Sequence, residues 1–351
     1  MFFASDNSGP VPQPVLDALT EANSGYTFGY GAEPLMDEVR QRIRDLFETP
    51  DAAVHLVATG TAANSLALAT MVNPFDTIFC TPCAHIQEDE CNAPEFYTGG
   101  AKLTLVGESD RMTPETLKTA IESQGNRGVH GPQRGAVSIT QVTEMGNVYT
   151  LDQLRALCDT AKGYGLPVHL DGARFANAMV SLGCSAADMT WKSGVDVAVF
   201  GGTKNGLMGV EAVVFFNPEL AWEFELRRKR GGHLFSKHRY LSAQMAGYLR
   251  DDLWVDLATQ ANTNAAYLHA GMKAVADVEI LNDVTANMIF FKAPRAMHRH
   301  LQGNGATYHV SGGSLDHGAP EEHLTGRLVC DWSLPPAEID RFVSLLNTAK
   351  K

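Results

Sequence analysis

The sequence predicts an α/β fold: a mostly parallel sheet covered by helices on both faces, followed by a smaller α+β unit. Three observations carry this. Strand-length runs of β-branched and apolar residues alternate with helical segments from Val54 onward. Several runs end in glycine or a small hydroxyl residue, where an open α/β sheet turns into its next helix. The alternation then stops near Trp254, giving an expected division into residues 1–254, with an N-terminal arm, and residues 255–351. With 351 residues, 44% of them hydrophobic, the chain has enough apolar material for two cores.

In order, Pro14 to Leu19 opens a short helix with proline at a tolerated early position. Residues 25–34 form a loop of glycines and aromatics that includes Tyr30. The spacing of Leu35, Val39, Ile43 and Leu46 predicts a helix reaching Phe47. Residues 54–58 read as a strand, Thr59-Gly60-Thr61 as a tight turn, and residues 62–71 as a helix rich in alanine and leucine. Further strands are predicted at 77–80, 102–106, 136–141, 167–170, 195–200 and 211–216. Helices fall around Pro94 and over 114–123, 151–164 and 175–182. Past Trp254 a long helix to about Ala276 precedes strands at 278–280, 287–292 and 327–332 and a last helix at 336–349. The basic run Arg227-Arg228-Lys229-Arg230 reads as a solvated helix face.

A net charge of −12 argues against nucleic acid or an anionic membrane as partner. No apolar run has the length of a membrane span, and Met1 to Asn7 lack the basic and apolar regions of a signal peptide, so a cytoplasmic protein is expected. Six cysteines are too sparse for a disulfide framework. Cys80, Cys83, His85 and Cys91 lie close together, but structural zinc sites join two separated ligand pairs. Reduced, half-buried thiols and no metal are expected.

Four features fall at predicted strand ends. Val195 to Phe200 is followed by Gly201-Gly202-Thr203-Lys204, placing a lysine just past an apolar strand. There its amine can be desolvated enough to form a Schiff base with a carbonyl. Thr59-Gly60-Thr61-Ala62-Ala63-Asn64 places small residues at a helix N-terminus, which suits a phosphate. His169-Leu170-Asp171-Gly172-Ala173-Arg174 sets a carboxylate at a strand end, where it needs a partner such as a pyridinium N–H. Arg174 could serve a carboxylate or a phenolate. His85 follows another strand and can stack on an aromatic ring. Taken singly, each passes for a helix cap, a surface cation or a structural histidine. Their joint order meets the needs of pyridoxal 5'-phosphate: a handle for each end of the cofactor and one for its face.

At these residues the chain resembles the threonine aldolases among the aspartate-aminotransferase-like (type I) pyridoxal-phosphate enzymes. The resemblance extends over Ala4-Ser5-Asp6-Asn7, Tyr30-Gly31, residues 60–65, Ala84-His85, residues 169–174 and 200–206, and Gly326-Arg327-Leu328-Val329. It implies a large cofactor domain with a mostly parallel sheet and a smaller α+β C-terminal domain. It further implies that Lys204 carries the cofactor, Asp171 pairs with the ring nitrogen and His85 stacks on the ring. Gly60, Thr61, Ala62 and Thr203 would hold the phosphate. Ser5, Tyr30, Arg174 and Arg327 would bind a small amino acid substrate, with His130 near its β-hydroxyl. Family members are homotetramers, dimers of dimers with sites at the subunit interface. Two stretches depart from the family pattern: Gln141-Val142-Thr143-Glu144 stands where many members carry Glu-Asn-Thr-His, and residues 227–230 with Lys237 do not align with an arginine near the phosphate.

The implied activity is retro-aldol cleavage of L-β-hydroxy-α-amino acids, such as L-threonine, L-allo-threonine or L-phenylserine, to glycine and an aldehyde. Either His85 or His130 would be the base. Transamination or β-elimination would use the same cofactor handles, and a non-catalytic cofactor- or metal-binding protein is the alternative of another class.

Overall fold

Short apolar runs become central strands when helices cover both of their faces, and five of the seven strands in the main sheet are buried along their whole length. The structure, a computed structural model, describes residues 1–349. The main sheet comprises β1 (Ala53–Val57), β2 (Asp76–Cys80), β3 (Lys102–Leu105), β4 (Gln133–Thr140), β5 (Val168–Asp171), β6 (Val197–Gly201) and β7 (Glu211–Phe215), in the spatial order β1-β7-β6-β5-β4-β2-β3. Only β7 runs against the direction of the other six strands. It is reached from β6 through the short segment 202–210, whereas a parallel return needs a longer crossover. The edge strand β3 is partly exposed and carries Lys102, which discourages pairing with another edge.

The helix Gly60–Met71 is buried on nearly every side. It lies between the sheet and the helices Ala93–Thr98 and Ala221–Arg230. The expected tight turn at Thr59–Thr61 is instead the first turn of this helix: the Thr59 hydroxyl caps it by accepting from Ala62 N at 3.1 Å.

The second sheet is antiparallel, in the order β10 (His309–Ser311), β11 (His323–Val329), β9 (Met288–Pro294), β8 (Glu279–Ile280). It packs with the helices Arg295–Gly303 and Pro336–Thr348. The helix Leu253–Met272 joins the two units, touching Phe175–Leu182 on one side and Pro336–Thr348 on the other. The first residues, expected with the larger unit, pack into the smaller one. Phe3 is fully buried in its core, its N–H donates to Thr307 O at 2.8 Å, and its carbonyl accepts from Val329 N.

Three local expectations change. β11 begins at His323, upstream of Arg327, because pairing with β9 holds that polar stretch in register. Of the helices Ala221–Arg230 and Arg239–Leu249 only the basic end of the first was expected, since their apolar residues are too few or too evenly spread to make a stripe. Within the basic run Arg228 points inward: it is 1% exposed, pairs with Glu225 and donates to Leu56 O at 2.9 Å. Among the described residues no helix is long and apolar enough to cross a membrane.

Candidate active site

The carboxyl ends of β5 and β6 meet the N-terminus of the helix Gly60–Met71 around a cavity of about 450 Å³. Thr59, Gly60, Thr61, Asn64, His85, Asp171, Thr203 and Lys204 line it, together with Asn7, Asp89 and Glu211. Glycine makes the convergence possible. A Cβ on Gly201 would stand 2.5 Å from the Ala173 carbonyl oxygen, so only a bare backbone lets β6 pass the exit of β5. Lys204 follows in the turn Thr203–Asn205 and has no hydrogen-bond or ion-pair partner among the described residues.

Asp171 is 2% exposed and held from two sides: Asn64 Nδ2 donates to Oδ2 at 2.9 Å and Ala173 N to Oδ1 at 3.0 Å. Asn64 also donates to Glu90 Oε1 at 2.9 Å. Glu90 in turn meets His85 Nδ1 at 2.8 Å, completing a chain His85–Glu90–Asn64–Asp171. The hydrogen bond to Glu90 holds the His85 imidazole above its ordinary range, against the opposing effect of burial. Burial likewise raises the Glu90 carboxyl, which His85 and Asn64 partly offset. With Nδ1 committed to Glu90, Nε2 is the ring nitrogen left for the cavity.

The helix N-terminus offers two open amides. Thr59 takes the Ala62 N–H, which therefore does not serve an anion as expected, while Gly60 and Thr61 keep theirs without a partner among the described residues. Nothing lies within 4 Å of where a Cβ of Gly60 would be. A free amine, a buried carboxylate and a cradle of open amides in one cavity fit a phosphorylated pyridine aldehyde.

A family model described as beta-eliminating lyase matches residues 3–294. The chain belongs to the beta-eliminating lyase family. Within this family of pyridoxal-phosphate-dependent enzymes it is 39% identical over 342 residues to a low specificity L-threonine aldolase of a Pseudomonas species, covering 96% of this chain and 94% of that one. It is 40% identical over 332 residues to the low specificity L-threonine aldolase of Pseudomonas aeruginosa, covering 94% and 92%. The solved threonine aldolase of Leishmania major superposes with a TM-score of 0.90 at 27% identity, covering 98% of each chain.

Not every residue expected for such a family member reaches the cavity. His130 is exposed in the turn Gly128–His130, ahead of the amino end of β4, whereas Asp171 pairs with Thr140 at its carboxyl end. The length of β4 separates His130 from the site of its own chain, so it is not the base there. Arg174 is 6% exposed and gives Nε and Nη2 to Asp6 at 2.7 and 3.0 Å, so the carboxylate it holds belongs to the chain itself. Burial opposes ionisation of Asp6, but Arg174 and Lys204 bring its carboxyl below the ordinary range. Arg327 donates to Ala4 O at 3.1 Å and leaves its buried Nε without a partner. Ser5 caps the following turn by accepting from Asn7 N. Tyr30 lies outside the cavity, 52% exposed, with Lys229 4.7 Å above its ring. In the departing stretch, Gln141 donates to Tyr149 O at 2.9 Å and accepts from Tyr149 N.

Asn64, Glu90, Asp6 and Glu211 are among the polar residues around the site to which sequence reasoning gave no role. Asn64 and Asp6 stood inside motifs already singled out. Glu90 was one of three acids in Glu88-Asp89-Glu90, with nothing local to separate it from its neighbours. Glu211 offered one signal, an acid heading an apolar strand. Cys80 is buried, Cys83 half-buried and Cys91 exposed, and the nearby His85 ring is turned to Glu90.

Proposed function

We propose that this chain cleaves L-β-hydroxy-α-amino acids to glycine and an aldehyde, as a pyridoxal-phosphate-dependent threonine aldolase of low specificity. The observation that carries this is Lys204: an unpaired amine sharing one cavity with the buried Asp171 carboxylate and the open amides of Gly60 and Thr61. The similarity to two low specificity L-threonine aldolases selects the reaction among those such a cavity could run.

In this reading Lys204 bears the cofactor, Gly60 and Thr61 receive its phosphate, and Asp171 faces the ring nitrogen with Asn64 and Ala173 fixing the carboxylate. The bound cofactor supplies an electron sink for the pair released when the Cα–Cβ bond breaks. His85 stacks on the ring plane and takes the β-hydroxyl proton at Nε2, directly or through one water, while Glu90 sets its tautomer. Arg327 holds the substrate carboxylate through its guanidinium, where only Nη2 has a partner, Ala4 O, among the described residues, and this fixes the bond to be broken relative to the ring. The larger unit, residues 1–254, thus supplies the chemistry and the smaller one, residues 255–351, the carboxylate anchor. Assembly as a dimer of dimers would cover the exposed Tyr26, Phe28 and Tyr30 of the aromatic loop.

The test is steady-state cleavage of L-threonine, L-allo-threonine and L-phenylserine by one preparation of yellow protein. Glycine and the matching aldehyde are expected, with borohydride fixing the chromophore to Lys204. A keto acid with ammonia in their place would assign β-elimination instead.

A further inference from the structure

Glu211 lines the cavity, yet nothing in the proposed chemistry uses it. It heads β7, paired with Val57 on one side and Gly201 on the other, and is 4% exposed. Its Oε2 accepts from Gly202 N at 2.7 Å, and the Thr203 side chain lies beside its carboxyl, close enough to lower it. Thr203 Oγ1 in turn accepts from Val210 N at 3.2 Å. A hydroxyl has one proton to donate. An ionised Glu211 takes that proton, and Thr203 then presents only lone pairs to the cavity. A protonated Glu211 donates to Oγ1, which frees the hydroxyl proton for an anion beside Gly60 and Thr61. It also removes a negative charge from the neighbourhood of a phosphate.

We propose that Glu211 acts as a neutral carboxylic acid in the cofactor-loaded protein, a positioning residue that turns the Thr203 hydroxyl toward the cofactor phosphate. The proposal rests on the cavity being a pyridoxal-phosphate site. Burial already pushes the carboxyl up to about 7, against the contacts from Thr203 and Gly202 and the charge of Lys204, and an adjacent phosphate acts in the same direction as burial. The other ionisable groups around it do not replace that proton. Tyr248, from the helix Arg239–Leu249, has its phenol raised by burial and by Glu211 itself. On β1, His55 is turned to Glu225, and Arg228 is occupied by Leu56 O and Glu225. His85, Asp89 and Asp171 belong to the same cavity lining.

The experiment measures binding of 4'-deoxypyridoxine 5'-phosphate, which lacks the aldehyde, to the cofactor-free full chain between about pH 6 and about pH 9. It also follows the phosphorus resonance of the holoenzyme over the same range. In the wild type, affinity is expected to fall roughly tenfold as Glu211 ionises, with the phosphorus signal titrating in step. Glu211→Gln keeps a neutral N–H donor for Thr203 Oγ1, so its affinity should stay at the wild-type low-pH value and its extra titration should vanish. Thr203→Val guards against misfolding of the first variant: it should bind at low pH only as well as the wild type does at high pH. A wild-type profile indistinguishable from that of Glu211→Gln, or low-pH binding by Glu211→Gln weakened as much as by Glu211→Ala, would overturn the proposal. Failure of the wild type to take up pyridoxal phosphate at all would instead sink the cofactor reading beneath it.

Discussion

Two histidine–glutamate pairs in this molecule look alike and behave oppositely. His85 meets Glu90 at 2.8 Å beside the cavity, and His55 meets Glu225 at 3.0 Å behind the sheet. The His55 side chain is 8% exposed, and burial drives its imidazole below the ordinary range despite Glu225. The His85 side chain is 28% exposed, and there the hydrogen bond to Glu90 outweighs burial and raises it. Desolvation and a carboxylate partner act on both rings, and access to the cavity decides which wins. In the second pair the carboxylate gains most. Burial opposes its ionisation, but His55 and Arg228 together bring Glu225 down to about 2. One pair is arranged to hold a proton at a working ring, the other to neutralise a buried arginine.

The largest effect should come from the amine that shares the cavity with His85. Lys204→Ala is expected to lower cleavage on the order of 10³-fold or more and to abolish borohydride fixation of the chromophore, read by steady-state rates and peptide mapping. Next, Glu90→Gln removes the anion that raises His85. A loss of about 10- to 100-fold in kcat is expected, and the acid limb of the kcat/KM profile should move to lower pH because the imidazole becomes easier to deprotonate. An acid limb that stays in place would show that the two pairs do not differ in function.

Glu225→Gln should leave kcat close to wild type and cost about 1 to 2 kcal/mol of stability, because Arg228 loses its anion. The sign follows from the depressed Glu225 carboxyl. Its contribution is present above the unfolded-state value near 4.5 and disappears as pH falls toward about 2, so wild type and variant should converge in acid melts. The smallest effect is expected from His130→Asn, within about twofold on kcat, since the ring is exposed beyond the amino end of β4, away from the cavity. A large loss would mean that this turn serves the site of a neighbouring subunit.

Much of the fold was legible because strand and helix periods are local properties. The helices predicted at 114–123 and 175–182 match Pro114–Ser123 and Phe175–Leu182. The helix Arg239–Leu249 and the first part of Ala221–Arg230 were not legible, because their burial comes from surfaces distant in the chain. Arg228 shows why: within a basic run it reads as solvated, yet Leu56 and Glu225 enclose it.

The sequence by itself determined the succession of strands in the main sheet and which residues stand at strand ends, Asp171 and Lys204 above all, because apolar periodicity and glycine placement are written residue by residue. Only the tertiary structure decided who partners whom: Arg174 with Asp6 across 168 residues, Asn64 with Asp171 across 107, and Glu211 with the Gly202 amide. Those pairings depend on distances through space between segments far apart in the chain. A carboxylate's partner, and with it the carboxylate's charge, is set only once the sheet has closed around it.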